Sequence, residues 1–186
     1  MTEITEKAGK LPNAAERFVL HWGDMGGQWG VNRSISQIHA LLYLSERPRT
    51  AEDIAAVLGL ARSNVSTSIR QLAAWNLIRR VPVKGDRREH FEAETDVWEI
   101  AMRIAAIRKE REIDPAVAAL RACVADAADD PSISPVASKR LKEMLAFTEL
   151  VDRWYVQMLN VPRPRLVALI KLGEKIVNLL PLGKAK

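Results

Sequence analysis

The chain has 186 residues, 48% apolar and 27% charged, with a formal net charge of +5. These proportions support a buried core in one globular domain, or in one small domain with helical extensions, and they exclude a disordered or collagen-like chain. The single cysteine, Cys123, excludes an internal disulfide, and no run of about 18 apolar residues reads as a spanning helix. The polar, mixed-charge start from Met1 to Lys10 does not read as a signal peptide, so a reducing cytoplasm is the expected compartment.

The net charge conceals a pattern. Residues 61–91 hold seven bases and two acids, net +5, and residues 161–186 are also net +5. Residues 1–60 are net −1 and residues 92–160 net −4. A basic block inside a folded segment is the footprint of a polyanion-binding surface.

In chain order, residues 13–22 read as a helix with Phe18, Val19 and Trp22 on one face and Asn13 as a cap. Gly23, Gly26, Gly27 and Gly30 then predict a loop or broken turn. It is no phosphate loop, because no strand precedes it and no Lys-Ser/Thr follows. Ser34 or Ser36 is expected to cap the next helix, which carries Ile38, Leu41, Leu42 and Leu44 and ends before Arg47-Pro48-Arg49. Thr50 with Asp53 resembles a capping box for a helix over 51–58. Gly59-Leu60-Ala61 is a short turn, and a second helix runs from Arg62 to about Trp75 with Val65, Ile69, Leu72 and Ala73 inward. Two short helices joined by a Gly-containing turn form a helix-turn-helix unit. Strands near 78–83 and 88–93, joined at Lys84-Gly85-Asp86, predict a β-hairpin with a basic tip.

Beyond Thr95, read as a cap, helical periodicity returns in Val97, Ile100, Ala101, Ile104 and Ile107. Asp114-Pro115 reads as a helix restart running to about Ala128, and Ser134-Pro135 as the start of a helix to about Leu159. Val161-Pro162-Arg163-Pro164 separates it from a last amphipathic helix over 165–180. The expected fold is mainly α with a small β-hairpin. Its parts are an N-terminal helix and Gly-rich loop (1–33), a winged helix-turn-helix (34–94), a helical region (95–160) and a basic C-terminal helix (161–186).

The stretch from Phe18 to Trp98 resembles the GbsR-like branch of the MarR transcriptional regulators. The resemblance rests on Phe18–Trp22, Trp29-Gly30, Gln37–Leu44, Ala51–Leu58, Ala61–Ser68, Leu72, Leu77 and Gly85-Asp86-Arg87-Arg88 leading to Phe91. It implies a winged-helix, DNA-binding homodimer with terminal helices at the dimer interface. Ala61 departs from the Ser or Thr this fold often places before the recognition helix, and Ala caps poorly, so that helix is expected to start one or two residues later, at Ser63.

The face opposite the expected core presents Arg62, Ser63, Asn64, Ser66, Thr67 and Arg70, small polar or basic groups suited to the major groove of double-stranded DNA. Asn64 suits an adenine edge, Arg62 or Arg70 guanine or phosphate. Lys84, Arg87 and Arg88 at the wing tip suit the narrow minor groove. The resemblance implies that Asp86 holds Arg88, leaving Arg87 for DNA, with the reverse assignment open. A two-fold dimer implies an inverted-repeat operator with half-sites about 10 bp apart.

The chain is thus expected to be a homodimeric repressor, with a small-molecule effector as a class-level possibility. The alternative is a winged-helix protein-interaction module without sequence-specific DNA binding. No catalytic constellation appears, and His21, His39, His90 and Cys123 show no metal-ligand spacing, so no cofactor is expected. Cys123 is expected to be an inert thiol on an apolar helix. Trp22, Trp29, Trp98, Trp154 and Tyr155 read as core or interface rings ahead of a cage for a quaternary ammonium ligand. The C-terminal helix, with Leu166, Leu169, Ile170, Ile176, Leu179, Lys171 and Lys175, reads as dimer packing ahead of membrane contact.

Overall fold

A computed structural model describes residues 11–179, with the side chains of 174–179 outside the description. Ile176, Leu179 and Lys175 of the expected tail helix therefore lie outside the described side chains, and residues 1–10 and 180–186 lie outside altogether. The chain divides into two compact units, the first ending at Arg103 and the second starting at Ile104.

In the first unit, α1 (Asn13–Gln28) runs straight through Gly23, Gly26 and Gly27, where the sequence predicts a loop. The reason is close helix packing. A Cβ on Gly26 would lie 1.9 Å from Ser36 Oγ, and one on Gly23 would lie 2.6 Å from Gln37 Cγ. These glycines let α1 approach α2 (Arg33–Tyr43). Pro12, not Asn13, precedes the first turn of α1, without a side-chain cap. Neither serine caps α2: Asn32 does, its side chain accepting from the Ser34 N–H.

Helix α3 (Ala51–Leu58) starts with the expected capping box, in which Thr50 and Asp53 bond each other's backbone N–H, and ends at Gly59 with φ 64°. Helix α4 (Arg62–Ala74) starts at Arg62 and not at Ser63, although Ala61 in extended conformation supplies no side-chain cap. Its inner face is Val65, Ser68, Ile69 and Leu72, all buried, whereas Ala73 is exposed. Strands β2 (Ile78–Val83) and β3 (Asp86–Ala93) form the hairpin. The two-residue strand β1 (Arg49–Thr50) pairs with β3, completing an antiparallel sheet of order β1-β3-β2 that the sequence reading lacks. Ile38, Leu41, Ile54, Val65 and Leu72 meet in the core of this unit. Helix α5 (Val97–Arg108) is capped by Asp96, whose Oδ1 accepts from the Trp98 N–H, in place of Thr95.

A helix does begin at Asp114 with Pro115 in its first turn, as the sequence predicts, but Asp114 does not cap it. A π-helical turn (Lys109–Ile113) leads directly into α6 (Asp114–Asp129), with Ile113 in helical conformation. A π-turn is one of the ways a continuous helix accommodates a proline it cannot bond through. In the second unit α6 packs against α7 (Pro135–Asn160), which Ser134 caps through the Ala137 N–H. Arg121 of α6 meets Glu149 of α7 at 2.9 Å, and Lys109 of the π-helical turn meets Asp152 of α7 at 2.8 Å. Helix α8 (Arg163–Leu179) follows. Cys123 lies on a helix, α6, as expected, and its side chain is exposed, because the inner residues of that helix are Val117 and Ala127. No described helix is long and apolar enough to cross a membrane.

Candidate nucleic-acid interface

The inner residues of α4 fix which side chains face outward. With Val65 and Leu72 fully buried, Arg62, Ser63, Ser66, Thr67 and Arg70 are exposed on the opposite side. Arg70 Nη2 donates to Thr67 Oγ1 at 3.3 Å, one turn earlier, while Arg62 makes no ion pair among the described residues. An N-terminal turn of small hydroxyl side chains flanked by two arginines can approach a groove closely and meet base edges or phosphates.

Asn64 differs from its neighbours. It is half-buried, and its Nδ2 donates to Ser34 Oγ on α2 at 2.9 Å. Its Oδ1 accepts from the Ser68 hydroxyl at 3.3 Å. In sequence Asn64 falls on the outward face of α4, and its bond to Ser34 spans thirty residues, a separation that leaves no local signal.

The wing is built for an exposed basic tip. Val83 pairs with Asp86, so the connection is Lys84-Gly85, with Gly85 at φ 85° in the left-handed region that favours glycine. Asp86 pins Arg88 through both carboxylate oxygens, at 2.5–3.1 Å, and also accepts from the Arg88 backbone N–H. This guanidinium, with its hydrogen bonds foremost, lowers the Asp86 carboxyl to about 2. Arg79 pairs with Glu92 and Arg80 with Glu89 along the strands. Among the described residues, Lys84 and Arg87 are the wing cations without an ion pair. The carboxylates thus neutralise the strands and leave the tip charged.

The histidines lie in different settings. His39 is buried in α2, its ring 6.4 Å from Trp22, and burial lowers its pKa to about 4. His90 is buried in β3, with Nδ1 3.0 Å from the Arg88 carbonyl, and His21 is exposed. No group of metal-ligating side chains exists among the described residues. Trp22 also stacks on Phe18 at 5.5 Å, while Trp154 and Tyr155 meet edge to face in the second unit.

A helix-turn-helix followed by a β-hairpin, with the basic tip just described, defines a winged helix-turn-helix protein. The chain belongs to the MarR family: the family model matches residues 29–89. It is 30% identical over 146 residues to the HTH-type transcriptional regulator MmpR5 of Mycobacterium tuberculosis, spanning 74% of this chain and 84% of that one. It is 24% identical over 98 residues to the HTH-type transcriptional repressor GbsR of Bacillus subtilis, covering 53% of this chain. The chain spans about half the length of GbsR and of the other curated B. subtilis relatives it matches. A crystal structure of a transcriptional regulator superposes with a TM-score of 0.59 at 20% identity, over 78% of this chain and 95% of that one.

Proposed function

We propose that this chain is a sequence-specific DNA-binding transcriptional regulator. It inserts α4 in the major groove and sets the tip of the β2–β3 wing at the minor groove. The observation that carries this is the pairing of an outward small-polar face on α4 with a wing whose unpaired cations, Lys84 and Arg87, sit at its tip. Membership of a family whose relatives are named as regulators and repressors supports the same reading. Arg62 and Arg70 meet guanine edges or phosphates, and Ser63, Ser66 and Thr67 line the close approach.

Anisotropy titration of a duplex selected from a randomised pool tests this. Arg87→Ala is expected to weaken binding about tenfold on every duplex and to lower the salt slope by about one. An unchanged slope removes Arg87 from the interface.

The regulator acts as a homodimer. Helix α7 is apolar on two sides: Leu141, Leu145, Tyr155 and Leu159 lie on one, partly buried, and Val136, Phe147, Leu150 and Trp154 on the other, each more than half exposed. Phe147, Leu150 and Trp154 follow the spacing of a helical stripe, and such a face calls for a second helix surface. Introducing Phe147→Glu with Trp154→Glu is expected to halve the particle mass in light scattering while the circular dichroism stays helical. A mass unchanged by both substitutions places the seam elsewhere.

A further inference from the structure

We infer that Asn64 is a positioning residue that locks the recognition helix to α2 through Ser34, and that it does not read a base. The inference rests on the regulator proposal and deepens it, because it changes which side chains set sequence preference.

The geometry starts one helix earlier. Asn32 caps α2 and holds the Ser34 N–H at 2.9 Å, which fixes the backbone at the first turn of α2. The Ser34 hydroxyl then accepts from Asn64 Nδ2 at 2.9 Å, and the Asn64 Oδ1 accepts from Ser68 at 3.3 Å. Ser68 is 2% exposed, so this chain of bonds runs from the surface of α2 into the core beneath α4. Asn64 lies at the border between the buried side of α4 (Val65, Ser68, Leu72) and the exposed side (Ser63, Ser66, Thr67). A bond at that border resists rotation of α4 about its own axis. Apolar contacts, being non-directional, resist such a rotation poorly.

Recognition of adenine by asparagine requires both amide atoms at once, one donating and one accepting. Here both are engaged inside the protein. Turning the amide toward DNA would break two bonds and leave the buried Ser68 hydroxyl unpaired. Arg62, Ser63, Ser66, Thr67 and Arg70 therefore carry the base contacts, and Asn64 sets the roll at which they are presented.

The test uses the full chain and duplexes enriched from a randomised pool by the wild type. Asn64→Ala and Ser34→Ala are each expected to weaken binding about five- to tenfold, by the same factor on every single-base variant of the duplex. The double variant is expected to be no weaker than either single one, and Ser34→Thr, which keeps the hydroxyl, to bind as wild type. Affinities are corrected for the folded fraction from urea unfolding, so that lost stability is not counted as lost contact. An Asn64→Ala defect that disappears when one particular base pair is replaced overturns the inference, as does full binding by Ser34→Ala. If the wild type enriches no sequence, the regulator proposal fails. The lock is then judged by unfolding alone, where additive effects of the two substitutions overturn it and non-additive effects support it.

Discussion

Replacing Gly26 by alanine is expected to destabilise the first unit by about 3 kcal/mol, and replacing the adjacent Gly27 by alanine to stabilise it by about 0.5–1 kcal/mol. In an unobstructed helix the two changes would be equivalent, each removing the backbone freedom that glycine brings to a helix interior. The structure separates them by what each new methyl group would meet. At Gly27 nothing lies within 4 Å. At Gly26 the methyl would sit 1.9 Å from Ser36 Oγ and 2.7 Å from its Cβ, and the latter atom cannot rotate away. Helix α1 must then lift off α2, uncovering Val19 and Ile38, which are 2% and 0% exposed. Urea unfolding of the two variants reads both signs. Combining Gly26→Ala with Ser36→Gly removes the obstruction and is expected to recover most of the loss. If Gly26→Ala alone unfolds like the wild type, the helices do not cross at this distance. The lost stability also bears on DNA binding, because α2 carries Ser34 and through it the roll of α4.

The same glycines show where the sequence is legible and where it is not. Thr50 with Asp53 announces a helix start because a capping box is local, satisfied within four residues, and the structure shows it bonded as expected. Gly59 and Gly85 mark turns for a similar reason, each holding a backbone angle that glycine adopts without strain. Gly23 and Gly26 carry the same letter with the opposite meaning, since their purpose is close approach to a helix whose side chains are not sequence neighbours. Strand β1 is two residues long, too short for alternation to register, and exists because β3 offers it a partner. Asp114-Pro115 has the composition of a helix start, but helical backbone already precedes it.

In the candidate interface the charged tip was legible and the amide was not. Lys84 and Arg87 are exposed by the hairpin that the sequence announces, and the Asp86–Arg88 pair is a contact between near neighbours. Asn64 looks like its outward neighbours in sequence, and only the position of Ser34 on another helix assigns its two bonds. Cys123 shows the same limit. Its flanks are apolar in sequence, yet the thiol is exposed, because the side of α6 that packs is set by Val117 and Ala127.

His39 makes the fold acid-sensitive in a window set by its own burial. It is 4% exposed on α2, its Nε2 has no hydrogen-bond partner, and desolvation lowers its pKa from 6.5 to about 4. The native state therefore keeps this ring neutral at a pH where the unfolded chain protonates it. Below about pH 6.5 the unfolded state binds more protons than the native state, so stability falls with falling pH until the native ring also protonates near pH 4. The full loss across that window is on the order of 3 kcal/mol. The carboxylates with lowered pKa, Asp86 at about 2 together with Glu94 and Asp130, lose their stabilising partners only at lower pH, below the ordinary carboxylate range near 3.8–4.5. Their contribution is thus separate from that of His39. Urea unfolding at pH 7.5, 6.0 and 4.5 is expected to show the wild type weakening at each step. His39→Leu, an apolar side chain of similar size beside Trp22, is expected to be at least as stable at pH 7.5 and much flatter below it. A variant as acid-sensitive as the wild type would show that another group carries the loss. The direction of the effect distinguishes burial from an ion pair. A histidine held by a carboxylate would stabilise the fold on acidification, whereas this one, enclosed by α1 and α2, weakens it.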